Sequence, residues 1–260
     1  MGMFFTPLNP PVADWRGKTV WLIGASSGIG EATAAALHAA GARVVVSARR
    51  ADALTRFTQA HAGSVAIPLD VTDTAGVQKA AAQVLALGSL DCVVYCSGIY
   101  TPTRAFALDA ADALRHMDVN YNGALRVLAS VLPAMLAQGH GHISLVSSVA
   151  GYRGLTNGLV YGPTKAALTH LAEGLYLDLH AKGLGVSVIS PGFVETPATA
   201  INDFEMPALI SAAQAAQHML TGWAAGDFEI HFPKRFTRFM QLLRILPDRL
   251  YFALVKRITQ

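Results

Sequence analysis

Cysteine is scarce in this chain: Cys92 and Cys96 are the only two among 260 residues. Both fall in one apolar run, where they share a face of a strand but lie too far apart along it for easy bridging. A disulfide framework is thereby excluded, and buried small residues are expected instead. No Cys/His grouping has zinc-site spacing, and His140-Gly141-His142 reads as the approach to a strand, so no metal is expected. Charged residues are also few, at 14% against 52% hydrophobic, a balance that excludes disorder and allows a sizeable core. Long apolar runs are missing too: none reaches the roughly 18 residues that span a bilayer. The start lacks the basic and apolar regions of a signal peptide, so a cytoplasmic location is expected. The opening Met-Gly-Met-Phe-Phe-Thr fits the loose N-myristoylation pattern, which is short enough to arise by chance.

What charge there is lies unevenly. The formal net charge is +3, yet residues 234–260 hold seven Lys/Arg against one acid, Asp248. The remainder is therefore net acidic, which argues against a nucleic-acid surface spread over the fold.

Apolar, β-branched runs alternate with helical stretches. Strands are expected at 19–24, 42–48, 64–70, 91–97, 142–148 and 185–191, with a seventh at 227–232. Helices are expected at about 29–40, 51–62, 74–87, 109–137 and 160–182. Strands that are apolar throughout and separated by helices indicate a parallel sheet buried on both faces. Right-handed crossovers then give a doubly wound α/β sheet of about seven strands. No linker divides it, so residues 1–233 read as one Rossmann-type domain, followed by an extension at 234–260.

The first strand runs into Gly24-Ala25-Ser26-Ser27-Gly28-Ile29-Gly30, which opens the first helix. Small residues let backbone approach a phosphate, and a helix N-terminus offers unpaired N–H groups and partial positive charge to a pyrophosphate. An acid closing strand two would bond the adenosine ribose and repel a 2′-phosphate. Ala48 stands there instead, followed by Arg49, whose planar guanidinium forks onto phosphate. NADP(H) is therefore the expected cofactor, with NAD(H) as the alternative.

Ser148, Tyr161 and Lys165 fall within a single stretch of strand, loop and helix. Residues four apart share a helix face, so Tyr161 and Lys165 point the same way. A free phenol titrates near 10, too high for efficient proton exchange at neutral pH, and a neighbouring ammonium lowers it. Ser148, at the carboxyl edge of strand five, stands where doubly wound folds bind ligands.

Taken together, these features resemble the short-chain dehydrogenases/reductases over roughly residues 16–232. The motifs occur in the family's order: GASSGIG at 24–30, Asp70-Val71, Val119-Asn120, Ser147-Ser148, YGPTK at 161–165 and PGFVET at 191–196. The resemblance implies a catalytic set of Asn120, Ser148, Tyr161 and Lys165. It assigns cofactor contacts to Gly24, Ser26, Ser27, Gly28, Ile29, Gly30, Asp70, Val71, Ser97, Gly98, Pro191, Gly192, Val194 and Thr196, as well as to Tyr161 and Lys165. By the same resemblance, Asn120 holds a water that links Lys165 to solvent, and Thr196 bonds the nicotinamide carboxamide. Three departures stand out. Ile23 replaces the threonine before the first glycine, Tyr95-Cys96-Ser97-Gly98 replaces NNAG, and Pro163 enters the catalytic helix, where its first turn tolerates a missing N–H.

The implied activity is hydride transfer between NADP(H) and a carbonyl or alcohol, the alternative being a catalytically silent cofactor-binding regulator. Phe193, Phe204, Met206 and Leu209, with Tyr100, suggest a hydrophobic substrate. Arg153 is expected in a rim salt bridge. The long helix 109–137 and the helix after Tyr161 resemble the family's assembly surface, so a homodimer or homotetramer is expected. The extension reads as two amphipathic helices broken at Pro247. It is expected to pack on the domain, with peripheral contact to an anionic membrane as the alternative.

Overall fold

The computed structural model describes residues 6–202 and 205–259. The Met-Gly start and Phe204 lie outside the described residues. Seven strands form one parallel sheet in the order β3-β2-β1-β4-β5-β6-β7. They are β1 (Thr19–Ile23), β2 (Arg43–Ser47), β3 (Val65–Ala66), β4 (Cys92–Tyr95), β5 (Gly141–Val146), β6 (Leu184–Pro191) and β7 (Glu229–Phe232). The order reverses between β1 and β4, which pair Ile23 with Tyr95. A crevice for a ligand opens at such a reversal, beyond the carboxyl ends of the strands.

Alternation along the strands divides the core into two layers. Trp21, Ile23, Val45, Val93, Ile143 and Val186 face one side, against α3 (Thr74–Leu85), α5 (Gly123–Gln138) and α6 (Tyr161–Leu179). Val20, Leu22, Val44, Val46, Val94 and Ile189 face the other, against α1 (Gly28–Ala39), α2 (Ala51–Ala60) and α7 (Ala212–Ala225). Two of the three buried tryptophans donate their indole N–H to serines of the sheet, Trp21 to Ser47 Oγ at 2.9 Å and Trp223 to Ser144 Oγ at 2.8 Å. Truncating such a ring costs roughly 3–5 kcal/mol. Cys92 and Cys96 are unpaired and pack in the same layer.

Three elements depart from the sequence expectation. The β3 ladder covers two residues rather than 64–70, and it lies at the sheet edge, where Pro68 is tolerated because its missing N–H falls on the side away from β2. The chain still follows β2, with Ile67 and Leu69 donating to Val46 and Ala48 at 3.0 Å. The expected helix 109–137 is α4 (Ala110–Met117) and α5, joined through a π-helical turn at Asp118–Asn122. Strand five ends at Val146, so Ser148 caps the short turn Val149–Gly151, accepting from the Ala150 amide at 3.1 Å.

The extension forms α8 (Lys234–Arg244) and α9 (Asp248–Thr259). Met240, Leu243, Tyr251 and Val255 bury against Val149 and Tyr152, just beyond Ser148. Arg153 donates to the Leu246 carbonyl at 2.6 Å and to the Asp248 carboxylate, with its guanidinium 4.0 Å above the Tyr251 ring. Its rim salt bridge thus fastens the extension.

Candidate active site

A cavity of about 410 Å³ occupies the crevice between β1 and β4. Its floor is the glycine loop. Gly24 has φ +96, and a Cβ there would stand 2.5 Å from the Ser97 amide nitrogen; a Cβ on Gly30 would strike the Gly24 carbonyl oxygen. Only glycine lets the β1–α1 turn lie this close to the β4 loop, and the same bareness leaves room for a diphosphate at the start of α1. Gly24, Ser26, Ser27, Gly28, Ile29 and Gly30 all line the cavity.

Ala48, Arg49, Asp70 and Val71 also line the cavity. Arg49 is exposed and Ala48 buried, leaving no acid at the end of β2. Asp70 accepts from the Thr72 amide and hydroxyl at 3.0 and 2.8 Å. Burial works to raise its carboxyl, but those bonds and the charges of Arg49 and Arg126 outweigh it and hold it below the usual range. Sequence reasoning passed over Arg50, which also lines the cavity and donates to the Ser26 carbonyl at 2.5 Å. Its position beside Arg49 was the available signal.

Ser97, Gly98, Ser148, Tyr161, Lys165, Pro191, Gly192, Val194 and Thr196 complete the wall. Ser148 and Tyr161 are hydrogen-bonded through their hydroxyls. Lys165 is 3% exposed; its Nζ donates to the Val146 carbonyl at 2.8 Å and lies 5.5 Å from the centre of the Tyr161 ring. Burial lowers this ammonium to about 8. Burial also raises the Tyr161 phenol above its ordinary value, and the Ser148 bond only partly opposes it. The expected lowering of the phenol by Lys165 is thus not met in the chain alone, where desolvation sets the direction. Cys96 is pushed up to about 11 by burial, against the pull of Lys165, so it is a neutral thiol beside the pair.

Asn120 stands one layer behind the wall and is fully buried. Its Oδ1 accepts from the Ile99 amide at 2.8 Å, and its Nδ2 donates to the Ile99 carbonyl and to Thr164 Oγ1, each at 3.0 Å. Its side chain is therefore committed to bracing the loop after β4. Gly98 passes between the two groups: a Cβ there would be 3.4 Å from Lys165 Nζ and 3.5 Å from Asn120 Oδ1. Thr196 turns its hydroxyl towards Thr199 Oγ1 at 3.2 Å.

At the mouth, the Tyr100 ring meets the Tyr161 ring edge-on at 5.0 Å, and its hydroxyl donates to Asn202 Oδ1 at 3.3 Å. Phe193 instead packs on Phe236 of α8 at 5.4 Å. Met206 Sδ accepts from Asn202 at 3.4 Å, and Leu209 is 44% exposed. Of the expected apolar surface, Tyr100 lines the cavity and Phe193 serves the tail contact.

Glycines cleared for a diphosphate, with a serine–tyrosine–lysine group in the same crevice, define a dinucleotide-dependent oxidoreductase site. The short chain dehydrogenase family profile matches residues 18–205. An oxidoreductase of Myxococcus xanthus with no assigned substrate is 35% identical over 252 residues, which cover 95% of this chain and 100% of that one. The glycine betaine reductase of Emericella nidulans is 37% identical over 197 residues, 73% of this chain but 15% of its own length. Among solved structures, a short chain dehydrogenase/reductase of Burkholderia phymatum in complex with NAD superposes with a TM-score of 0.81. It is 25% identical, over 89% of this chain and 94% of the other. The chain belongs to the short-chain dehydrogenase/reductase family, whose members bind a nicotinamide cofactor.

Proposed function

We propose that the protein exchanges a hydride between NADP(H) and an apolar carbonyl/alcohol pair, with Tyr161 as the general acid and base. When bound, the nicotinamide donates or accepts the hydride. The observation that carries the proposal is the juxtaposition of Ser148, Tyr161 and Lys165 in the cavity whose floor is the glycine loop. Ser148 offers its hydroxyl to the substrate oxygen, polarising it as an oxyanion-type donor. Tyr161, neutral over the physiological range in the free protein, protonates that oxygen in reduction. Lys165 keeps a positive charge close by at neutral pH and holds the nicotinamide ribose. Asn120 keeps the loop after β4 in place around Lys165.

The preference for NADP(H) rests on Arg49, Arg50 and the missing acid at Ala48. An apolar substrate is supported by Ile99 and Tyr100 in the wall and by exposed Leu159, Ile201 and Leu209. Exposed Leu114, Leu125 and Leu136 on α4 and α5, with Leu177 on α6, support assembly into a homo-oligomer through those helices.

The test is NADPH oxidation against a panel of apolar aldehydes and ketones, with NADH as the comparison. Removing a general acid–base group costs about 10²–10⁴-fold, so Tyr161→Phe should lose turnover on that scale while binding NADPH nearly as before. Arg49→Glu should erase the preference for NADPH. A Tyr161→Phe protein that keeps most of its rate overturns the acid–base role, and a native preference for NADH overturns the reading of Arg49.

A further inference from the structure

The two faces of the C-terminal helices differ sharply. Inward, Met240, Leu243, Tyr251 and Val255 are buried, and the Tyr251 hydroxyl donates to the Gly154 carbonyl at 2.6 Å. Outward, Phe239, Leu242, Ile245, Leu250, Phe252 and Leu254 are 41–76% exposed. Lys234, Arg235, Arg238, Arg244, Arg249, Lys256 and Arg257 are exposed among them. None of these seven cations forms an ion pair among the described residues: Asp248 is engaged by Arg153 of the main body, and Glu229 of β7 by Tyr152, Ser190 and Gln241. Large apolar side chains gathered on a surface mark a place that something covers.

We propose that this outward surface docks on an anionic lipid bilayer. Phenylalanine and leucine side chains of a helix lying in the interface enter the acyl boundary, while lysine and arginine meet the headgroup phosphates. The helices lie on the surface rather than cross it, since no helix among the described residues is long and apolar enough to span a membrane. Charge decides against a second copy as the occupant, because two such faces would set cations against cations. A nucleic acid would answer the charge but leave the apolar side chains in water. The inward side of the same helices reaches the cavity wall: Phe236, at the start of α8, packs over Gly192 and Phe193 at the turn leaving β6. The docking itself does not depend on the reaction proposed above.

The experiment is flotation of the full-length protein with vesicles of phosphatidylcholine plus phosphatidylglycerol, and with vesicles of phosphatidylcholine alone. The native protein should float with the mixed vesicles and stay in solution with the neutral ones, and added salt should weaken the binding. Two double variants on exposed positions, Leu242→Glu with Phe252→Glu and Arg235→Glu with Arg238→Glu, should keep the native melting temperature. Each should lose affinity for the mixed vesicles by on the order of a hundredfold. Three results would overturn the proposal. One is no flotation with anionic vesicles, and another is undiminished flotation of both variants. The third is a lipid-free oligomer that the Leu242/Phe252 variant breaks into monomers, which would make the face a subunit interface.

Discussion

The glycine loop lines the crevice and the C-terminal extension packs behind its Gly192 wall, yet the two are held in place by opposite means. At the loop, backbone packs on backbone: Gly24 fits under the Ser97 amide and Gly30 under the Gly24 carbonyl because neither has a side chain. At the extension, side chains do the holding, with Tyr251, Val255, Met240 and Leu243 on one face and Arg153 tying down the Leu246–Asp248 turn. A site made of backbone clearance tolerates almost no substitution at its few positions. A site made of side-chain packing degrades gradually and leaves its outer face free to differ.

That contrast is broken most severely at Gly30. An added methyl there has only backbone to push against, the Gly24 carbonyl and the Ala25 Cα, and overpacking of this kind costs roughly 1–3 kcal/mol. Because the methyl shifts the phosphate cradle itself, Gly30→Ala should lower kcat/KM for the cofactor by about a hundredfold, the scale of a ~1 Å misplacement. Thermal melting and cofactor titration check the two parts separately. Tyr251→Ala tests the other side. Losing a buried ring costs roughly 3–5 kcal/mol if the structure stays whole. The extension is a small satellite cluster, so the expected result is its local release. Proteolysis should then cut within 234–260 while the sheet survives, whereas loss of the whole fold in one transition would show the two regions to be one cooperative unit.

Charge sharpens the comparison next. Burial brings Lys165 down to about 8, whereas the cations of the tail stand exposed. A base whose proton is lost near pH 8 is cationic below that value and neutral above it. Since kcat/KM reports the free enzyme, carbonyl reduction should be flat below about pH 8 and fall above it, by about tenfold per pH unit once Lys165 is deprotonated. Lys165→Met should remove that limb as well as most of the rate.

The same distinction explains what was legible in the sequence. Glycine clearance, a tyrosine and a lysine four apart, and apolar strands alternating with helices are local patterns, and the sheet, the cavity lining and the family follow from them. What escaped depends on packing between distant segments. Phe193 turns to Phe236 rather than to the cavity because α8 arrives from the far end of the chain. Arg50 joins the cavity wall because β2 ends against the glycine loop. The rise of the Tyr161 phenol is set by burial, which no spacing reveals.

The π turn at Asp118–Asn122 is the subtlest of these, since the helical period runs on either side of it. Its cause lies across the core, in one of the departures from the family pattern. Tyr95, at the end of β4, is 1% exposed and donates its hydroxyl to the Val119 carbonyl at 2.5 Å. That carbonyl belongs to the turn, and a Cβ on Gly123 would collide with the same hydroxyl. Tyr95 and Gly123 are thus a matched pair that holds Asn120 against Ile99. Tyr95→Phe keeps the ring and removes one buried bond, so the expected cost is small, about 1–2 kcal/mol of stability, including the carbonyl left unpaired. If the bond also sets the turn, hydrogen exchange of the Ile99 amide, which donates to Asn120 Oδ1, should rise more than that of amides in β5. Equal changes at both places would mean that Tyr95 only fills the core and that the turn is held by the helix itself.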